Sequence, residues 1–170
     1  FDPIQLALAA GCGFVARAID VDTKGLPSIL KAASLHRGTS FVEIYQNCNV
    51  FNDGAFADIS DRGMRNERTV TLAAGKPLIF GDNSDKGLRL KDEGFEIVER
   101  SDETEASLFV HDSDLPLSQL MKLSTLSYPD FPVPIGIFRA STREIYEEAM
   151  HQQMIDAKKK HPEASLESLL

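Results

Sequence analysis

The chain has 170 residues, 42% of them hydrophobic and 26% charged, which is the balance of a globular protein and excludes wholesale disorder. Its 26 acidic and 18 basic side chains leave a net charge of −8, which argues against a surface built to grip nucleic-acid phosphates. The longest run free of charge and proline, Ile4 to Ala16, is too short for a membrane span, and two cysteines make no disulfide framework, so a reducing, cytoplasmic setting is expected.

The chain opens on Phe1-Asp2-Pro3 without an initiator methionine, which reads as a processed chain or a piece of a longer one. Pro3 suits the first turn of a helix behind Asp2 as N-cap, and Gly11 or Gly13 suits its end. Phe14 to Ile19 is a short strand. Asp22 or Thr23 caps a helix over Lys24–His36 whose Leu26, Ile29, Leu30 and Ala33 share one face, and Gly38 follows as a stop. Ser40 to Gln46 concentrates aromatic and β-branched residues and is a second strand. Strands alternating with helices predict βαβ units and a parallel sheet, so the two strands should be parallel neighbours. Ligands in such sheets sit beyond the carboxyl ends of the strands, which draws attention to Asn47-Cys48-Asn49-Val50-Phe51-Asn52-Asp53-Gly54. A lone cysteine is more often an inert small hydrophobe than a ligand, and the four histidines show no metal-ligand spacing.

Further along, all of the net negative charge falls in residues 81–170, which carry ten basic and eighteen acidic side chains. The stretch from Asp82 to Glu105 is expected to be a hydrated hairpin or loop. His111-Asp112 is read as strand end and turn, with Asp112 and Asp114 leading into a helix over Leu115–Leu126. Arg62, Arg65 and Arg68 read as a solvated loop or helix face. At the C-terminal end Ser141 and Glu144 form a capping-box pattern, and Tyr146, Met150, Met154 and Ala157 make an apolar stripe that most simply packs on the protein's own core, with a subunit contact as the alternative. Lys158, Lys159 and Lys160 suit the helix's negative end, Pro162 its stop, and Leu166, Leu169 and Leu170 form a second apolar patch.

Phe14-Val15-Ala16-Arg17 followed by Gly38-Thr39-Ser40-Phe41-Val42-Glu43-Ile44-Tyr45-Gln46-Asn47-Cys48-Asn49-Val50-Phe51-Asn52-Asp53 resembles the β subunit of 2-oxoacid:ferredoxin oxidoreductases, most closely the 2-oxoglutarate type. Gly75 to Gly81, Lys86 to Leu90, Val110 to Asp112 and Phe131 to Arg139 continue the likeness in order. The resemblance implies an α/β fold: the C-terminal half of a thiamine diphosphate-binding domain over residues 1–75, then a C-terminal extension over 76–170 that ends in a helix. In that family Gly-Asp-Gly with a later Asn holds Mg²⁺ and thiamine diphosphate, and a Cys-x-x-Cys region lies upstream. Neither Gly-Asp-Gly nor Cys-x-x-Cys occurs in these residues. The chain by itself is therefore expected to bind no thiamine diphosphate and to be inactive, and no catalytic residue is identified.

The resemblance further implies that Cys48 is the fourth thiolate of a [4Fe–4S] cluster in the intact subunit, while Cys12 stays a small core residue. The implied activity is oxidative decarboxylation of a 2-oxoacid to an acyl-coenzyme A. The implied partners are an α subunit, ferredoxin, the 2-oxoacid and coenzyme A, with no nucleic acid and no membrane. A pyruvate or broad 2-oxoacid enzyme, or a non-catalytic α/β interaction module, are the alternatives.

Overall fold

A computed structural model describes residues 1–92 and 94–161. Helix α1 (Pro3–Ala9) starts where Asp2 accepts a hydrogen bond from the Gln5 N–H at 3.0 Å, the cap expected from the sequence. Strand β1 (Phe14–Ile19) follows and is buried along its whole length. Helix α2 (Gly25–Leu35) begins beside Asp22, whose Oδ1 accepts from the Lys24 and Gly25 N–H groups at 3.2 and 2.9 Å. Strand β2 (Ser40–Tyr45) then pairs with β1 in parallel, from Phe14 against Ser40 to Ile19 against Tyr45. The expected parallel neighbours are in place.

Two short helices, α3 (Ala57–Ser60) and α4 (Arg65–Arg68), lead to strand β3 (Thr69–Leu72). Strands β4 (Lys76–Pro77) and β5 (Ile79–Phe80) follow. The acidic stretch is a hairpin, β6 (Lys86–Leu90) with β7 (Phe95–Glu99), closed by helix α5 (Asp102–Glu105). Strand β8 (Val110–His111) pairs with β4, and helix α6 (Leu117–Ser124) leads to strand β9 (Val133–Ala140) and helix α7 (Tyr146–Lys160).

The main sheet has the order β2-β1-β9-β3 and is mixed. β9 runs antiparallel to β1, with a register shift at Val15/Ala16, and parallel to β3. The expected parallel pairing is present in β1/β2 and β3/β9, and these two pairs flank an antiparallel seam. Gly136 lets β9 lie close against β3: its φ is +130°, and a Cβ there would stand 2.6 Å from the Leu72 carbonyl oxygen. One side of the sheet is covered by the main core, where Ile4, Leu8, Val15, Leu120, Leu123 and Phe138 are buried together. The other side meets α2 through Phe14, Ala16, Ala18 and Ile29. β2 is left as an edge strand, only partly buried.

The C-terminal helix departs from expectation at both levels. It begins at Tyr146 after Ile145 and has no side-chain cap. Ser141 is not that cap: residues 141–145 are not helical, and its backbone N–H donates to the Gly13 carbonyl at 2.9 Å, which prolongs the sheet edge past β9. Nor does α7 pack on the core: none of its residues is buried, and Tyr146, Met150, Met154 and Ile155 are 75%, 40%, 50% and 47% exposed. α6 is shorter than expected, and Asp112 serves a turn, accepting from the Asp114 N–H at 2.9 Å, while the helix itself has no side-chain cap. Pro162, Leu166, Leu169 and Leu170 lie outside the described residues.

Candidate functional site

The polar loop lies where the sequence places it, immediately past the carboxyl end of β2. Its base is a stack: the rings of Tyr45 and Phe56 are 4.5 Å apart and 9° from parallel. Below that stack, Arg17 is only 2% exposed and donates to Glu43 Oε2 at 2.6 Å, its register partner across the two strands. The Arg17 guanidinium also lies 5.1 Å from the Tyr45 ring and 5.4 Å from that of Phe138. Burial pushes the Tyr45 hydroxyl above its ordinary value, and the neighbouring Arg17 charge partly offsets this. The strand end is therefore held by the core although the loop beyond it is exposed.

Within the loop, Cys48 is exposed and forms a bridge with Asn52, whose N–H donates to the Cys48 carbonyl at 2.9 Å. The nearby backbone N–H groups of Phe51, Val50 and Asn52 hold its thiol below the ordinary value. Oriented N–H groups of this kind stabilise a thiolate, the form that attacks electrophiles and ligates metals. Val50 and Phe51 stand out at the tip, 81% and 91% exposed.

Cys12 has a different setting. It is half-buried, and its thiol lies 3.1 Å from the Phe14 carbonyl oxygen and 3.3 Å from that of Thr39, at the amino ends of β1 and β2. The strands that separate the two thiols' ends of the sheet are six residues long, roughly 17 Å. The two cysteines are not brought together. Around Cys12 a cleft of ≈ 740 Å³ is bounded by the turns 10–13 and 36–39 and by 143–147, with Arg143 donating to the Gly11 carbonyl at 3.1 Å.

The other residues singled out in the sequence have structural partners. His111 is 1% exposed, with Nε2 2.8 Å from the Ile137 carbonyl oxygen, and burial pushes its pKa down. Arg65 donates to the Ser60 carbonyl at 2.8 Å, and Arg68 pairs with Asp58 while lying 4.6 Å from the Tyr128 ring. In the hairpin Glu96 pairs with Arg89 and Lys91, and Glu105 with Arg100. Among the described residues no three His, Cys, Asp or Glu side chains gather where they could hold a metal ion. The described residues therefore assemble no set of four cluster ligands around Cys48.

One residue of the loop carries more than the sequence reading gave it. Asn47 was there only a polar neighbour, yet its side chain makes three of the loop's hydrogen bonds. Asp53-Gly54 marks a turn in the sequence, and Gly54 takes a φ of +77°, but the partners of Asn47 carry no such signal.

Comparison with known proteins agrees with this picture. The whole chain is 36% identical over 174 residues to the 2-oxoglutarate oxidoreductase subunit KorB of Mycobacterium tuberculosis, and covers 46% of it. A segment of 52 residues, 31% of the chain, is 44% identical to the β subunit of 2-oxoacid:ferredoxin oxidoreductase 1 from Aeropyrum pernix, covering 16% of that protein. The chain is a homologue of 2-oxoacid:ferredoxin oxidoreductase β subunits. It spans less than half the length of these relatives. The 2-oxoglutarate:ferredoxin oxidoreductase from Magnetococcus marinus, solved with 2-oxoglutarate, coenzyme A and succinyl-CoA bound, shares the fold with a TM-score of 0.58. That match covers 92% of this chain and 39% of the other, at 16% identity. No family model matches the chain. No helix among the described residues is long and apolar enough to cross a membrane.

Proposed function

We propose that the chain is part of the β subunit of a cytoplasmic 2-oxoglutarate:ferredoxin oxidoreductase that converts the 2-oxoacid to an acyl-coenzyme A. The observation that carries this reading is the 36% identity to KorB along the entire chain. Residues 1–75 form the last part of the thiamine diphosphate-binding domain, and 76–170 its C-terminal extension, with β9 of the extension paired back onto β1. Thiamine diphosphate and Mg²⁺ are held by parts of the subunit other than these residues, which contain no Gly-Asp-Gly. Bound in the intact subunit, thiamine diphosphate would supply an electron sink for decarboxylation and a [4Fe–4S] cluster one-electron transfer towards ferredoxin. Cys48 contributes one thiolate to that cluster. Its exposed place just beyond the carboxyl end of β2 supports this assignment. The exposed face of α7 is the contact for the α subunit, since its Tyr146, Met150 and Met154 find no core among the described residues.

The test is made on the complete subunit assembled with its α partner. Coenzyme A-dependent reduction of ferredoxin is expected with 2-oxoglutarate and not with pyruvate, and Cys48→Ser is expected to lose cluster iron and ferredoxin reduction while keeping thiamine diphosphate. Equal turnover of pyruvate would move the assignment to a broad 2-oxoacid enzyme. No turnover of any 2-oxoacid would favour the non-catalytic module. The 170 residues alone are expected to reduce neither ferredoxin nor a viologen dye.

A further inference from the structure

The two helices that flank β1 in the chain lie on opposite faces of the sheet. Ile4 and Leu8 of α1 are buried with Val15 on the main-core side, whereas Ile29 of α2 is buried with Phe14, Ala16 and Ala18 on the other. Helix α2 carries the chain from β1 to the parallel strand β2, one place along the sheet. Crossovers between parallel strands share one hand, the right. A crossover of the same hand whose helix sits on the opposite face must travel in the opposite direction. Helix α1 leads into β1 through a short turn, so a parallel strand ahead of α1 would arrive from the side of β2. β2 already fills the place beside β1, and the next place on that side is the outer edge of β2.

That edge is suited to a strand. The Phe14 N–H donates to the Thr39 carbonyl at 3.2 Å and the Asp20 N–H to that of Tyr45 at 3.1 Å. Alternate residues of a strand face the same neighbour, so residues 39, 41, 43 and 45 turn towards β1, and the backbone groups of Ser40, Val42 and Ile44 turn outward. Among the described residues no strand pairs with them. β2 has no proline, no lysine and no bulge to blunt it, and its one charged side chain, Glu43, is taken up by Arg17. Phe41 packs against the main core and Val42 against the α2 side, so a further strand would continue both layers.

We propose that the outer edge of β2 seats a parallel strand of the same β subunit, the one that α1 follows, so that the sheet begins with that strand and continues β2-β1-β9-β3. This rests on reading the chain as part of a longer β subunit, in accord with its covering 46% of KorB. The other side of β1 is closed to it twice over, by handedness and by the antiparallel β9. The occupant belongs to the same copy because it must be joined to α1.

The experiment uses the complete β subunit assembled with its α partner, prepared as a mixture of two isotopic compositions so that crosslinks within one copy are told from those between copies. Residue-resolved amide hydrogen exchange is followed in β1 and β2, Ile44 is replaced by an aliphatic diazirine residue for photo-crosslinking, and ferredoxin reduction is measured alongside. The N–H groups of Ser40, Val42 and Ile44 are expected to exchange within about tenfold of those of Ala16 and Ala18 in β1. The crosslink is expected within one copy, to a peptide that precedes α1. Fast exchange at those three amides with Ala16 and Ala18 slow would overturn the proposal, by leaving β2 an open edge. A crosslink to the α subunit, to a second β copy or to residues after α7 would overturn it by naming another occupant. A complex that turns over no 2-oxoacid yet shows the protection and the crosslink would overturn the enzymatic reading and leave the sheet order standing.

Discussion

Replacing Glu43 by leucine should expose how the buried Arg17 is tolerated. The Arg17 and Glu43 side chains are 3% and 15% exposed and meet at 2.6 Å. Glu43→Leu keeps the volume but leaves a guanidinium buried without its carboxylate. Breaking such a pair from one side costs about 3–5 kcal/mol. Here the residual partners soften the loss: Asp2 at 3.8 Å, the Pro134 carbonyl at 3.5 Å and two aromatic faces. The low end, about 3 kcal/mol, is therefore expected, equivalent to a fall in Tm of roughly 6–12 °C for a chain of this size. The double change Arg17→Met, Glu43→Leu removes both charges and should recover to within about 1 kcal/mol of wild type. Urea unfolding followed by circular dichroism measures all three proteins. A double variant as unstable as Glu43→Leu would refute the reasoning, because the cost would then lie in packing and not in an orphaned charge.

Gly136→Ala is expected to cost about 3 kcal/mol or to prevent folding, since its φ of +130° and the 2.6 Å approach to the Leu72 oxygen leave no room for Cβ; a Tm within 2 °C of wild type, roughly 1 kcal/mol, would contradict this. His111 has its pKa lowered by burial, so as pH falls below its unfolded value of roughly 6.5 the unfolded chain takes up a proton that the folded one resists. Its stability contribution is thus complete above that pH and is lost as pH falls, and His111→Gln should flatten the slope of unfolding free energy between roughly pH 6.5 and 5. Iodoacetamide should label Cys48 well before Cys12, and keep labelling it at a lower pH than an ordinary thiol, as read by peptide mass spectrometry; faster labelling of Cys12 would contradict the loop geometry.

The first half of the main sheet was legible because its signals are local. Asp2-Pro3, the β-prone Phe14–Ile19 and the Ser40–Tyr45 run each specify an element without help from elsewhere, and a helix between two strands leaves little choice but a parallel pair. The place of β9 was not legible. Val133–Ala140 contains Pro134 and Gly136, and its place depends on a bulge against β1 and on a glycine fitted to Leu72 of β3, facts of two distant segments. Ser141 misled for a related reason: a capping pattern is local, but Ser141 extends the sheet edge beside Gly13 and the helix starts only at Tyr146. At the site, the position of Cys48 beyond a strand could be read directly. The part Asn47 plays could not, since a carboxamide's partners are visible only once the loop is closed.

The seating of β9 also sets a schedule for synthesis. Arg17 waits for Pro134, 117 residues later in the chain, before the inner side of β1 gains its neighbour. At a ribosomal pace of about 5–20 residues per second this leaves β1 with one bare side for roughly 6–23 s. During that interval Phe14-Val15-Ala16 is an apolar strand with open backbone groups, the kind of edge that recruits other chains. The protein's exposure to aggregation is therefore set less by its final surface than by how long a central strand must remain an edge.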